Sequence, residues 1–259
     1  VNYMVEEKAN IIIKCRNDNN LIPDLNDNMP KDVNEAYLIQ EHVIKSFNYN
    51  SIGWKVGCTT EMAQNFSGMT EPFSGVMFKE TTSSSPNLSI NSDMNKPIIE
   101  PELCFEIDGD VTDIGELYNK NNILKHIKSI LPVIEIVDAR YKKGWDIKAL
   151  ETISDNGVHS LLVKGNELLD WQSYDRLNSV IDLYIDNKLV CSGRGSNVLN
   201  DPLNSICWLA NKLINRGKFI KSGEIITTGN TLDKAIFAEP NTLISANFEG
   251  LGIVKMQYS

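Results

Sequence analysis

Apolar residues recur at helical spacing in two stretches near the start of the chain, 3–15 and 33–47. A polar run, RNDNNLIPDLNDNMP, separates them and reads as a loop. In the second stretch Val33, Ala36, Tyr37, Gln40, Val43, Ile44 and Phe47 trace one face, and Asp32 stands where an N-cap belongs. From about residue 51 the pattern changes to short apolar runs broken by turn residues. These predict strands at 52–58, 75–79, 98–107, 131–138, 160–164, 179–190, 224–228, 242–249 and 252–258. Asp186-Asn187 marks a hairpin turn within 179–190, and TTSSSPNLSINSDMN, residues 81–95, reads as a polar loop. One longer helix is expected late, in DPLNSICWLANKLINRG. Asp201 would cap it, Pro202 takes its first position, Gly217 ends it, and Leu203, Ile206, Cys207, Ala210, Leu213 and Ile214 form its apolar face. The whole predicts an α+β protein: a helical N-terminal region, 1–50, then a β-rich body, 51–259, without the regular strand–helix alternation of a doubly wound sheet.

Composition narrows the partners. The 259 residues carry a net charge of −9, which argues against nucleic acid and anionic membrane surfaces. No apolar run reaches the roughly 20 residues of a membrane-spanning helix, and the amphipathic N-terminus is unlike a secretion signal. Five cysteines, at 15, 58, 104, 191 and 207, form no CxxC pair, so reduced thiols and a cytoplasmic location are expected. Three histidines without an HExxH motif make a histidine-rich metal site improbable.

One segment breaks the hydrophobic pattern. In KPIIEPELCFEIDGD, residues 96–110, the strand period of two puts Ile99, Pro101, Leu103, Phe105 and Ile107 on one face. Glu100, Glu102, Cys104 and Glu106 fall on the other. Like carboxylates side by side repel unless solvent, a proton or a cation intervenes, and oxygen donors suit a hard divalent ion such as Mg²⁺ or Mn²⁺. An isolated E-x-E is more often an ordinary solvated sheet face. The next apolar run, ILPVIEIVDAR, carries a lone Glu135, which needs a partner if it is buried. Three such carboxylates from two strands would form a site open to substrate and water. Lys55, between Gly53 and Gly57 in an apolar strand, is either a lysine of an edge strand reaching for solvent or a cation held near bound anions.

Six segments then follow one another in a familiar order: GWKVGCTT, PFSGVMF, IIEPELCFEI, VIEIVDARYKKGWDIKALETISDN, GRGSNVLNDPLNSICWLANKL and SGEIITTGN. On these the chain resembles the fumarylacetoacetate hydrolase superfamily, from about residue 5 to its end. The branch it resembles holds the 2-oxopent-4-enoate (2-hydroxypenta-2,4-dienoate) hydratases and 4-oxalocrotonate decarboxylases. The resemblance implies a mixed, rolled β-barrel-like body and a homo-oligomer acting on a small 2-oxo or 2-hydroxy-dienoic acid. It implies a Mg²⁺ or Mn²⁺ ion on Glu100, Glu102 and Glu135, with Lys55 and Asp155 catalytic. It further implies that Thr59, Thr60, Ser74 and Asn156 contact the substrate. The expected reaction is hydration of a 2-hydroxy-2,4-dienoate to a 4-hydroxy-2-oxo acid through a metal-stabilised dienolate. Alternatives, in order, are decarboxylation of a 4-oxalocrotonate-type acid, C–C hydrolysis of acylpyruvates, and a non-catalytic binder on the same fold. GWDIK, ETISDN and PLNSICWLANKL resemble hydratases; EPE and DARY resemble decarboxylases. The chain also departs from the hydratase pattern, which has an acidic residue after the proline of P-D-x-G where this chain has Phe73. Asn200-Asp201 and Val158-His159 are further departures.

Overall fold

The computed structural model describes residues 3–86, 89–90 and 93–259, so residues 87–88 and 91–92 of the expected 81–95 loop lie outside the described residues. The chain begins with two helices, α1 (Tyr3–Asn17) and α2 (Val33–Ser46). Asp32 caps α2, its carboxylate accepting the Glu35 amide at 2.9 Å. Ala36, Tyr37, Gln40 and Val43 are buried as the spacing predicts. Val33 is instead exposed at the first turn, and Ile39 is buried. The two helices close a small core of Val5, Ala9, Ile12, Ile39 and Val43 over Tyr141. Gln40 Nε2 ties α2 to the body, donating to the carbonyls of Ser74 at 2.9 Å and Ile153 at 2.8 Å.

The body runs β1 (Ser51–Gly57), α3 (Glu61–Ser67), β2 (Phe73–Phe78), β3 (Thr82–Ser84), β4 (Ser89–Ile90), β5 (Ile98–Ile107), α4 (Lys120–Ile123) and β6 (Ile127–Val137). It continues with α5 (Ala149–Ser154), β7 (His159–Lys164), β8 (Val180–Ile185), β9 (Lys188–Arg194), α6 (Pro202–Asn215), β10 (Ile225–Thr227), β11 (Thr242–Phe248) and β12 (Gly252–Tyr258). A mixed seven-stranded sheet has the order β2-β1-β10-β5-β6-β7-β3, and a five-stranded sheet the order β4-β12-β11-β8-β9. The expected fold class, α+β on a mixed, curled sheet with helices at the N-terminus, is what the structure shows.

Three local differences have physical causes. The 179–190 run is two strands, β8 and β9, because Asp186 and Asn187 both take positive φ, 49° and 62°, the turn that matches strand twist. The polar 81–95 segment contains β3, which adds to the sheet edge parallel to β7 through backbone bonds that need no apolar pattern. The helices α3 and α5 are too short to show a helical repeat; α3 is marked only by its cap, Thr60, which accepts the Ala63 amide at 3.1 Å.

The main core lies between the sheets and α6. Leu103, Phe105 and Ile107 of β5 meet Ile130 and Ile134 of β6 and Leu203, Ile206, Leu209 and Leu213 of α6. Each such side chain, taken out of water, stabilises the fold by about 1.5–3 kcal/mol. Asp201 caps α6 and Gly217, at φ 69°, follows its end, both as expected. The short β10 is what assembles the site. It slips between β1, to which it runs parallel, and β5, to which it runs antiparallel. A Cβ on Gly53 would sit 1.9 Å from the Ile225 carbonyl oxygen, so a glycine there admits the strand. Lys55 then stands in register with Thr227, and Thr227 with Cys104.

Candidate active site

Glu100 and Glu102 project from the same face of β5, as the strand period requires, and Glu100 pairs directly across the ladder with Glu135 of β6. The three carboxylates each offer an oxygen within 4.8 Å of the others. Glu102 and Glu135 are buried, and Glu100 is half-buried.

Their second partners come from elsewhere in the fold. Lys55 is 2% exposed and its strand lies between β2 and β10, so it is not a lysine of an edge strand reaching solvent. Its Nζ is 3.2 Å from Glu135 Oε1 and donates to the Gly157 carbonyl at 3.2 Å. The same Glu135 Oε1 meets His159 Nδ1 at 2.8 Å. On the other side, the Gly229 amide donates to Glu102 Oε2 at 2.7 Å. A Cβ on Gly229 would fall 1.9 Å from Thr59 Oγ1, so only a glycine lets this amide reach the carboxylate.

Each buried glutamate therefore spends one oxygen on the protein and keeps one free. Glu102 Oε1 and Glu135 Oε2 are buried without a hydrogen-bond partner. An unsatisfied buried acceptor costs about 1–3 kcal/mol, more if charged. Electrostatics point the same way. Burial raises Glu100 to about 7 against the pull of Lys55, and burial with the neighbouring Glu135 and Glu100 charges raises Glu102 well above its ordinary value. Burial also works against ionised Glu135, but the Lys55 charge and the His159 contact outweigh it and hold that carboxyl at about 2. Burial opposes the Lys55 charge, yet the charges of Glu135, Glu100 and Glu102 raise its pKa. Two free oxygens and a third carboxylate that reaches the cleft, all hard donors, fit a divalent cation.

A cleft with two lobes opens from the cluster. The inner lobe, about 150 Å³, has Lys55, Glu100, Phe73 and Val158 among its walls. The outer lobe, about 380 Å³, also reaches Glu100 and has Thr60 and Asn230 in its lining. Phe73, at the position where hydratases have an acid, places its ring 5.6 Å from Lys55 Nζ. Glu71, just before the proline, is held elsewhere by Lys212 at 2.7 Å and Trp208 Nε1 at 3.2 Å. The small residues flanking Lys55 leave room chiefly for protein: β10 occupies the space at Gly53, and the Phe73 ring lies 2.8 Å from a Cβ on Gly57.

The other expected site residues divide. Thr59 is buried against Gly229, next to Glu102, and Thr60 both caps α3 and lines the outer lobe. Ser74 is buried in β2, where its amide donates to the Tyr37 hydroxyl at 3.0 Å. Asp155 takes Arg16 Nε at 2.6 Å. Asn156 clamps Val76 with two 2.8 Å bonds, its Oδ1 accepting the amide and its Nδ2 donating to the carbonyl. The fold thus brings Lys55, Glu100, Glu102 and Glu135 together with Thr59 and Thr60 beside them, and commits Asp155 Oδ1 and the Asn156 amide to contacts with α1 and β2, while Asp155 Oδ2 is buried without a hydrogen-bond partner. Sequence reasoning missed the His159 contact, although Val158-His159 stood out as a departure from the hydratase pattern. It also missed the Gly229 amide, which no side-chain pattern announces.

Comparison with known proteins adds relatives to this geometry. The family model described as "Fumarylacetoacetate (FAA) hydrolase C-terminal" matches residues 48–258. The chain is 26% identical to 2-keto-4-pentenoate hydratase 2 of Dechloromonas aromatica (strain RCB), over 100% of this chain and 99% of the relative. It is also 26% identical to 2-keto-4-pentenoate hydratase of Paraburkholderia xenovorans (strain LB400), over 98% of this chain and 94% of the relative. Among solved structures, 4-oxalocrotonate decarboxylase from Pseudomonas putida G7, complexed with magnesium and adipate, superposes with a TM-score of 0.91 at 22% identity, covering 100% of this chain and 98% of that one. This last likeness is one of fold.

Proposed function

The chain belongs to the fumarylacetoacetate hydrolase family, and from that premise we propose that it is a metal-dependent hydratase converting 2-hydroxy-2,4-dienoates into 4-hydroxy-2-oxo acids. The observation that carries the proposal is the cluster of Glu100, Glu102 and Glu135 with Lys55 buried against it. The hydratase relatives support the choice of reaction.

Glu100, Glu102 and Glu135 would hold one divalent cation, Mg²⁺ or Mn²⁺, through the oxygens the fold leaves free. When bound, such an ion supplies Lewis acidity toward the adjacent carboxylate and keto oxygens of a 2-oxo acid. The chain's own groups do the rest. Buried against Glu135 Oε1 and donating to the Gly157 carbonyl, Lys55 acts as the proton donor. It faces the inner lobe, where it delivers or steers the proton that C5 takes as the enol O–H proton is lost and the dienol becomes the keto form with a C3–C4 double bond. Water then adds at C4, its hydroxyl to that carbon and a proton to C3, and the sum is one water per dienoate. Phe73, Val137, Trp145 and Ile147 wall the inner lobe and limit other water there. His159 and Gly229 keep Glu135 and Glu102 aimed at the centre.

Decarboxylation of 4-oxalocrotonate is the second reading, favoured by Phe73 in place of an acid. One experiment separates the two. Protein freed of metal with a chelator is reloaded with Mg²⁺ and given 2-hydroxypenta-2,4-dienoate or 4-oxalocrotonate, with dienol absorbance and CO₂ followed separately. Metal-dependent loss of the dienol without CO₂ supports hydration; CO₂ from 4-oxalocrotonate with no consumption of the dienol supports decarboxylation. We also propose a cytoplasmic location, on the reading of the five scattered cysteines as reduced thiols.

A further inference from the structure

The two lobes of the cleft differ in what their walls can bind. Glu100, Ala63, Phe66 and Trp145 line both and so join them. In the outer lobe the polar groups are Glu100, Thr60 and Asn230. Thr60 and Asn230 adjoin the Thr59–Gly229 contact, whose amide holds Glu102. The polar part of the lobe is thus the part next to the carboxylates. Beyond it the walls are apolar, formed by Met62, Phe66, Ile98, Leu232 and Phe237.

Among the described residues no cationic side chain lines this lobe. Lys96 lies near its border, with its ammonium 5.3 Å from the Phe237 ring centroid. Trp145 has its single donor engaged, Nε1 giving to the Lys96 carbonyl at 2.7 Å, so its ring serves as an apolar wall. Phe66 is 77% exposed and Phe237 38% exposed, an unusual outlay of aromatic surface around one cavity. A carboxylate placed among these walls would lose hydration, with Lys96 at the border as its nearest cation. An apolar group would lose nothing and would cover the exposed rings. A cavity of roughly 150 Å³ suffices for a benzene ring; the outer lobe has about 380 Å³.

We infer that the outer lobe receives a large uncharged apolar substituent, aryl or branched alkyl, at the distal end of the substrate. Phe66, Trp145 and Phe237 select it over hydrogen or a second carboxylate. The inference rests on the reading of the site as one for 2-oxo and 2-hydroxy-dienoic acids, and it narrows that class to monocarboxylates with a bulky tail.

Affinity tests it without requiring turnover. Calorimetric titration of the Mg²⁺-loaded protein with three stable acids of matched length, 2-oxopentanoate, 2-oxo-5-phenylpentanoate and 2-oxohexanedioate, gives their order directly. The phenyl acid is expected to bind on the order of 10- to 100-fold more tightly than 2-oxopentanoate, the gain for burying one aromatic group. The dicarboxylate should bind no more tightly than 2-oxopentanoate. In Phe237→Arg the order should move toward the dicarboxylate. A dicarboxylate that equals or exceeds the phenyl acid in the wild type, reaching Lys96 for example, would overturn the inference. Equal affinity for the phenyl acid and 2-oxopentanoate would overturn it too. Failure to hydrate any dienoate while the phenyl preference holds would sink the hydratase reading and leave this inference standing.

Discussion

Lys55 Nζ and Glu135 Oε1 lie 3.2 Å apart, with both side chains closed to solvent. Removing one member of such a pair usually destabilises the protein, because the other charge is left uncompensated. Here Glu135 also has His159, and the remaining carboxylates have room for a cation. The ammonium is therefore the part whose loss should be felt in the reaction more than in the fold.

Lys55→Met should accordingly lower kcat by on the order of 10²-fold or more, while a divalent ion still binds. Steady-state kinetics at saturating metal, with metal affinity measured alongside, checks this. A folded, metal-binding variant within about threefold of wild-type kcat would show that Lys55 only balances charge.

His159 touches Glu135, and a role in orienting that carboxylate can be tested. Replacing His159 by Leu frees Glu135 Oε1 from its 2.8 Å contact and lets the carboxylate turn. Metal affinity should fall about 10- to 100-fold, the usual scale for groups that orient a ligand. His159→Asn, which retains a side-chain donor, should recover part of the loss. Titration of each variant with Mn²⁺ reads the effect; unchanged affinity in the Leu variant would remove His159 from the site's support.

Asp201 offers a pH-dependent test of the fold. Burial alone would raise its pKa, but Arg176, at 2.9 and 2.7 Å, and the Leu203 amide, at 3.0 Å, outweigh it and lower the pKa. A carboxyl whose pKa is lower in the folded than in the unfolded chain adds stability above its unfolded value, about pH 3.9, and loses it as pH falls through the folded value. Asp201→Asn should thus cost about 1–3 kcal/mol at neutral pH. The gap from wild type should narrow in urea unfolding carried out below about pH 4. A gap that stays constant down to pH 3 would mean that the ionised form contributes nothing.

Much of this site could be read along single strands. The alternation from Ile98 to Ile107 puts Glu100 and Glu102 on one face because a strand's side chains have a period of two whatever surrounds it. Asp201-Pro202 announced α6 for an equally local reason, a cap and a residue already set for the first turn. What stayed hidden depends on pairing between distant strands. The insertion of β10, which links Lys55 to β5, rests on three residues whose apolar run looks like any other. The register that sets Glu100 opposite Glu135 comes from the whole β5–β6 ladder. The N-terminal helices hid a smaller error: Val33 fits the helical face by spacing, yet at the first turn it lies beyond the core and is exposed, while Ile39 packs beside α1.

The proposed chemistry needs one divalent cation held by Glu100, Glu102 and Glu135, and the decisive measurement is a calorimetric titration of the chelator-treated protein with Mn²⁺. One ion should bind per chain, and Glu102→Gln and Glu135→Gln should each weaken binding by at least about tenfold, since each removes a charged oxygen that nothing else in the fold satisfies. Unchanged Mn²⁺ affinity across Glu100→Gln, Glu102→Gln and Glu135→Gln, or a wild-type protein that binds no ion, would contradict the account.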